Sequence, residues 1–274
     1  MKHDIAEPAI GGAQSVDRAL SLLGLIGRHS AQGLTLSALV GQSGLNKATV
    51  RRLLLALMRA GLVEQAAESR AYHLGEETYL LGLMAQGRHG LLSLAMDSLQ
   101  RLARNTGDAA FLSVRRGLYS VCLHREDGAH PIRTYALMPG AHHPLGVGAG
   151  SLAMLAALPD AEVSDVVAAI KDELQDAYPR LGPDDLHAQI TRTRTAGYSV
   201  NPGLIFEDSW GLGVALHGPD GRLVGALSLA AVESRMREPR RTELLQNLRL
   251  EARKIEQKLA QGSARSHDSK EQMT

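Results

Sequence analysis

The chain has 274 residues, a formal net charge of +1, 44% hydrophobic and 22% charged residues, a balance that fits a globular protein with two separately cored domains. No apolar run approaches bilayer length and no apolar stretch follows Met1, which argues against a membrane-spanning helix or a signal peptide and places the protein in the cytoplasm. The single cysteine, Cys122, excludes a disulfide within one chain and fits a reducing compartment. With aromatic residues at only 3%, the cores must be built mainly from Leu, Val and Ala.

Residues 1–13 have no period and read as a disordered arm. From residue 15 a helical pattern sets in, with Val16, Ala19, Leu20, Leu23 and Ile26 on one face and Ser15 as its N-cap. A short helix over 35–42, a Ser43-Gly44 turn and a third helix over 46–60 closed by Gly61 follow. Residues 62–65 and 71–74 read as two short strands around a polar tip, and 76–87 as a linker helix. The remainder alternates. A helix over 91–105 precedes strands at 109–115, 119–124 and 132–138, then helices at 151–158, 161–174 and 184–196. A hairpin pairs 211–217 with 222–230 around Gly218-Pro219-Asp220-Gly221. A long helix over 240–259 leads into a polar tail, 263–274, that reads as disordered. The domains expected are therefore 14–75, the linker 76–87, and 88–262.

Between Gln14 and Gly75 there are seven basic residues (Arg18, Arg28, Lys47, Arg51, Arg52, Arg59, Arg70) and three acidic ones (Asp17, Glu64, Glu68). That segment carries +4 and the rest −3, the asymmetry of a protein in which one domain meets phosphate. Three helices with a tight turn between the second and third, followed by a hairpin, have the order of a winged helix-turn-helix. In the third helix Val50, Leu53, Leu54 and Leu57 recur at core spacing. Ala48, Arg52, Leu55 and Arg59 then point the other way, flanked by Lys47, Thr49 and Arg51. A small, hydroxylated and cationic surface is what a helix needs to enter the major groove, and Arg70 at the hairpin tip would reach the backbone or minor groove. The candidate DNA-binding residues are thus Lys47, Ala48, Thr49, Arg51, Arg52 and Arg70. A solvated basic helix in an unrelated bundle is the plain alternative.

These segments resemble the IclR family of regulators along nearly the whole chain. Ser15-Val16-Asp17-Arg18-Ala19-Leu20 is similar to the family's opening helix, and Ser43-Gly44-Leu45-Asn46-Lys47-Ala48-Thr49-Val50 to its recognition unit. Tyr72-His73-Leu74-Gly75 is similar to the closing strand of its wing. Pro144-Leu145 before a Gly-rich turn, Gly197-Tyr198, and Val224-Gly225-Ala226-Leu227-Ser228-Leu229 follow in the order of its effector domain. The sequence departs at Val40, where a small Ala is usual, and at Gly146, where the family has His. It departs again at Ser151-Leu152, usually Gly-Lys, and at Ser209-Trp210-Gly211, where a cysteine is often found. The resemblance implies an α+β chain: a winged helix-turn-helix, a linker helix and a GAF-like α/β effector-binding domain. It implies a homodimer or homotetramer on double-stranded operator DNA, acting as repressor or activator, without a cofactor.

The turn from Gly146 to Gly150 leads into a helix whose first amides suit a carboxylate, and IclR-like effector domains commonly respond to small organic acids. Carried over position by position, Ala149 and Gly150 would offer backbone donors. Asn201, Gly211 and Ser228 would form the other wall, with Ser209 and Trp210 nearby. A tight strand-to-helix connection needing no ligand is the alternative for the turn, and a core position is the alternative for Trp210. Adjacent His142 and His143 in a strand point to opposite faces and do not make a metal site. Cys122, between Val121 and Leu123, reads as a buried small hydrophobe. An enzyme would have to draw on Asp127, His130, Asp208 and His217, but no nucleophile elbow, Walker loop or ligand spacing accompanies them. A plain interaction protein is the other rival, which binding of a small molecule to the C-terminal half would exclude.

Overall fold

The computed structural model describes residues 13–29, 32–85, 90–132 and 137–271, and the chain divides between His89 and Gly90 into two compact units. The arm 1–12 and the junction 86–89 lie outside the described residues.

The first unit opens with α1 (Gln14–Arg28), α2 (Leu36–Ser43) and α3 (Lys47–Arg59). Local chemistry sets the ends of α2 and α3. Thr35 Oγ1 accepts from the Ala38 amide, Gly44 turns left-handed at φ 66°, and Asn46 Oδ1 accepts from the Thr49 amide at 2.9 Å. Ser15, expected as the cap of α1, instead lies inside that helix, and Ala13 holds the cap position with no side-chain bond. The apolar stripe of α1 is also split. Leu22 and Ile26 are buried with Leu39, Val50, Leu53, Leu54 and Leu57, whereas Val16 and Leu20 are exposed. The short strands β1 (Val63–Gln65) and β2 (Tyr72–Leu74) pair antiparallel with Val63 opposite Leu74. At the tip between them Arg70 takes φ 57°, its carbonyl accepting from Gln65 Nε2. Helix α4 (Glu76–Ala85) follows, pinned by the Thr78 hydroxyl donating to Leu62 O.

The second unit contains α5 (Leu91–Thr106), β3 (Ala109–Arg116), β4 (Tyr119–Glu126), β5 (His142–Pro144), α6 (Ala149–Ala156), α7 (Asp160–Ala177) and α8 (Pro183–Ala196). It closes with β6 (Ser199–Pro202), β7 (Ser209–His217), β8 (Leu223–Val232) and α9 (Arg240–Glu271). The six strands form one antiparallel sheet in the order β5-β4-β3-β8-β7-β6. Side chains alternate between its faces. Leu112, Leu212, Leu227 and Leu229 pack on one face with Leu99 and Leu102 of α5 and Leu244, Leu248 and Ile255 of α9. Helix α6 lies against the other face, backed by α7 and α8 through Leu155, Ile170, Leu186 and Ile190. Arg101 on α5 reaches Glu251 on α9 at 2.8 Å.

Beyond shifts of a few residues at element ends, the structure departs from the sequence reading in four places. Of the strand expected over 132–138, residues 133–136 lie outside the described residues, and neither Ile132 nor Leu137 and Met138 is in a strand; the strand that pairs with β4 is His142–Pro144 instead. Helix α6 starts at Ala149 rather than Ser151. The strand Ser199–Pro202 is new; its four residues are too few to show alternation. Helix α9 continues to Glu271, through most of the segment that composition assigns to a disordered tail.

Candidate functional sites

Helix α3 places its four core residues, Val50, Leu53, Leu54 and Leu57, inward. Lys47, Ala48, Arg51 and Arg52 are exposed and Thr49 is half-buried, so five of the six candidate residues share the start of one helix. The sixth, Arg70, is exposed at the hairpin tip. Among the described residues none forms an ion pair with Lys47, Arg51, Arg52, Arg59 or Arg70. Among the described residues the cationic charge is therefore uncompensated, as a phosphate-binding face requires. The Thr49 amide is already taken by the Asn46 cap, which leaves its hydroxyl for any outside contact.

In the second unit a cavity of about 540 Å³, mouth included, lies between the start of α6 and the sheet face opposite α5 and α9. All seven candidate positions, Ala149, Gly150, Asn201, Ser209, Trp210, Gly211 and Ser228, line it. Register explains the meeting. Asn201 pairs with Gly211 and Gly211 with Ala230, while Gly213 pairs with Ser228 and Ser228 with Phe111, so two adjacent rows share this face. Gly213 lets α6 approach. A Cβ there would lie 2.5 Å from Ala149 O and 2.7 Å from Ser199 Oγ, and the Ser199 hydroxyl donates to the same Ala149 carbonyl. The turn into α6 depends on Gly146 at φ 104° and Gly148 at φ 87°. Ser151 braces it, its Oγ accepting from the Gly146 amide at 2.9 Å and donating to Pro144 O.

Trp210 meets the cavity differently from the rest. It alternates with Leu212 and Val214, and its ring packs with the α5 and α9 core, so its main chain, not its indole, faces the cavity. Asn201 spends its Oδ1 on the Leu204 amide at 3.0 Å, leaving its NH₂ group to point elsewhere. The sequence reading missed Phe111, Ser113, Ser120, Leu137, His143, Val147, Ile205, Leu229 and Ala230, which also line the wall. The one available signal was Ser113, a polar residue at an otherwise buried strand position. Among the described residues, the Ser113, Ser120, Ser209 and Ser228 hydroxyls have no hydrogen-bond partner in the protein, and no Lys, Arg, Asp or Glu lines the cavity. An anion entering it would be met by amides at the start of α6, by hydroxyls and by the His143 side chain, with no Lys or Arg among the described walls. Ala109, Phe111, Cys122, Leu137 and Ala230 cluster together and make the adjoining part apolar.

His142 and His143 diverge as strand geometry requires. His142 packs edge-on against Tyr119, and His143 against Tyr178, whose hydroxyl lies 2.7 Å from Nδ1. Burial pushes the Cys122 thiol up to about 12. The thiol should therefore stay protonated through neutral pH, and iodoacetamide at pH 8 is expected to label it only after unfolding. Rapid labelling of the native protein would contradict that environment. Two of the four groups that an enzymatic reading would draw on have other partners. Asp127 pairs with Arg125 at 2.8 Å, and His217 lies 3.6 Å from Glu256.

A winged helix-turn-helix whose third helix exposes a run of cations, joined in one chain to an α/β unit with a cavity against its sheet, is the architecture of a ligand-responsive transcriptional regulator. Residues 15–67 match the IclR helix-turn-helix domain, and residues 84–257 match the bacterial transcriptional regulator IclR C-terminal domain. The chain belongs to the IclR family, whose members are transcriptional regulators and not enzymes. It is 27% identical to the HTH-type transcriptional regulator BhcR of Paracoccus denitrificans, over 82% of this chain and 85% of that one. It is 29% identical to a glycerol operon regulatory protein of Streptomyces coelicolor, over 91% and 97% respectively. An IclR transcriptional regulator from Silicibacter sp. TM1040 has the same fold, with a TM-score of 0.81 at 28% identity, over 89% of this chain and 96% of that one. An IclR homolog from Microbacterium hydrocarbonoxydans, solved in complex with 4-hydroxybenzoate, superposes with a TM-score of 0.71 at 20% identity, over 89% and 98%. Among the described residues no helix is long and apolar enough to cross a membrane.

Proposed function

We propose that this regulator binds a near-palindromic operator as a homodimer or homotetramer and senses a small organic acid in the cavity beneath α6. The observation that carries the reading is the meeting of free hydroxyls with the first amides of α6 in a cavity with no acidic side chain among its described walls. Helix N-terminal amides carry partial positive charge and point at whatever lies before them, so a carboxylate is favoured there. In this reading Ala149 and Gly150 donate main-chain N–H groups, and Ser228, Ser209 and the Asn201 amide contact the ligand's polar groups. Gly211 leaves room, and Trp210 contributes main chain only. The apolar end at Phe111, Leu137 and Ala230 takes the ligand's carbon skeleton. An aromatic hydroxy acid combines these features, and 4-hydroxybenzoate occupies the same fold in the Microbacterium protein.

On the DNA side, Lys47, Ala48, Thr49, Arg51 and Arg52 enter the major groove and Arg70 follows the backbone. Two copies would pair through surfaces the isolated chain leaves apolar: Val16 and Leu20 on α1, and Tyr79, Leu81, Leu83 and Met84 on α4, all exposed. Apolar faces of this kind are usually covered by a partner, and a two-fold pair presents two recognition helices to a two-fold operator.

The test is fluorescence anisotropy of the full chain on duplexes tiling the DNA beside its own gene, across salt, with and without aromatic, keto and hydroxy acids. Tight, salt-sensitive binding to one duplex, shifted by one acid, supports the reading. Absence of binding on every duplex counts against it. Ser228→Ala is expected to weaken the effective acid about tenfold, the worth of one lost hydrogen bond to a charged group, while leaving operator affinity without the acid unchanged. Unchanged acid affinity, measured by calorimetry, would take Ser228 out of the contact set.

A further inference from the structure

We infer that the groove between α8 and the outer edge of β6 is a second binding site, separate from the cavity under α6, and that it takes a hydroxylated carboxylate. The groove holds about 1470 Å³, mouth included. Helix α8 buries Leu186 and Ile190 in the core and turns Gln189, Arg192 and Thr193 toward the groove. Gln189 and Thr193 are one helical turn apart, at 8% and 6% exposure. Among the described residues neither the Gln189 amide nor the Thr193 hydroxyl has a hydrogen-bond partner. Their neighbours differ. The Thr191 and Thr195 hydroxyls each donate to the carbonyl four residues back, those of His187 and Thr191. Both side chains are more than nine-tenths buried as residues, yet their polar atoms open onto the groove rather than into the core, which leaves them free to bond a ligand there.

Charge points to the ligand's class. Arg180, Arg192 and Arg241 line the groove against one carboxylate, Asp185. Asp185 Oδ2 accepts from the Gly182 amide, Arg180 is paired with Glu207 at 3.3 Å and Arg241 with Glu238 at 2.8 Å. Arg192 is exposed and has no ion pair among the described residues. A guanidinium accepts a carboxylate through a fork of donors. An amide and a hydroxyl, each both donor and acceptor, match a run of ligand hydroxyls. Tyr198, itself half-buried, provides a surface for the ligand's carbon chain. The first cavity, with no Lys, Arg, Asp or Glu among its described walls, would select a different molecule.

Isothermal titration calorimetry of the full chain with D-gluconate as the probe tests the assignment. Saturable binding is expected, weakened about tenfold by either Arg192→Ala or Gln189→Leu and unchanged by Ser228→Ala. Arg192 is exposed, so that variant does not put folding at stake; the Tm of Gln189→Leu guards against an unfolded sample. Absence of saturable gluconate binding would overturn the site. Binding lost in Ser228→Ala but kept in Arg192→Ala would move the ligand to the first cavity and equally overturn it. So would gluconate affinity that Arg192→Ala leaves intact while shifting the oligomer in sedimentation, since the groove would then be a contact between copies.

Discussion

Arg52→Ala is expected to weaken operator binding by about tenfold to a hundredfold, the worth of one bidentate arginine–guanine pair, with the affinity for the acid effector unchanged. Arg52 is exposed on the side of α3 away from Leu53, Leu54 and Leu57, and among the described residues no carboxylate neutralises it. The substitution removes a cation from a solvated surface, so the fold has little reason to respond. Anisotropy against operator and against unrelated duplex separates the two roles the residue could have. A base contact loses operator affinity selectively and relaxes the preference at one base pair. A phosphate contact weakens both duplexes alike and lowers the salt slope by about one. If neither duplex responds, α3 does not present this face to DNA.

Asp108→Ala is expected to destabilise the second unit by about 3 kcal/mol, the low end of the cost of breaking a buried ion pair. Asp108 has a side-chain exposure of 2% and receives Arg235 Nε at 2.7 Å and Arg240 Nη2 at 2.9 Å. Both arginines also donate to Thr106 O, at 3.1 and 2.6 Å. The carboxylate therefore ties the segment entering α9 to the junction between α5 and β3. Removing it leaves two guanidinium groups facing each other over a carbonyl that cannot balance them. The arginines keep 24% and 31% side-chain exposure, and the hydration this allows sets the low end of the range. Trp210, the only tryptophan, lies in this unit, so its fluorescence in urea reports the unit's own transition even when the winged unit melts separately. An unchanged midpoint would show that the Thr106 carbonyl and solvent hold the arginines without Asp108.

The sequence by itself determined the elements whose signals are local. A helix needs only its own stripe and caps, and Thr35, Gly44, Asn46 and Gly61 stand at the ends of α2 and α3 as their chemistry demands. The winged helix-turn-helix was therefore legible, and with it the cationic face of α3. The seven effector positions were named through a family resemblance, which carries long-range information that periodicity lacks. Tertiary structure alone decided how those positions meet. Sheet order places Phe111 of β3 beside Ser228 of β8, more than a hundred residues away, and nothing local encodes that pairing. It also decided that the Trp210 ring turns to the α5 and α9 core, because strand alternation shows that neighbours oppose each other but not which face is which. The strand at 142–144 and the short β6 escaped for the same reason: edge strands of three and four residues draw their stability from a neighbour, β4 or β7, rather than from their own sequence. The exposed apolar faces of α1 and α4 mark the opposite limit, since periodicity identified the stripe on α1 but not that Val16 and Leu20 of it are exposed rather than buried.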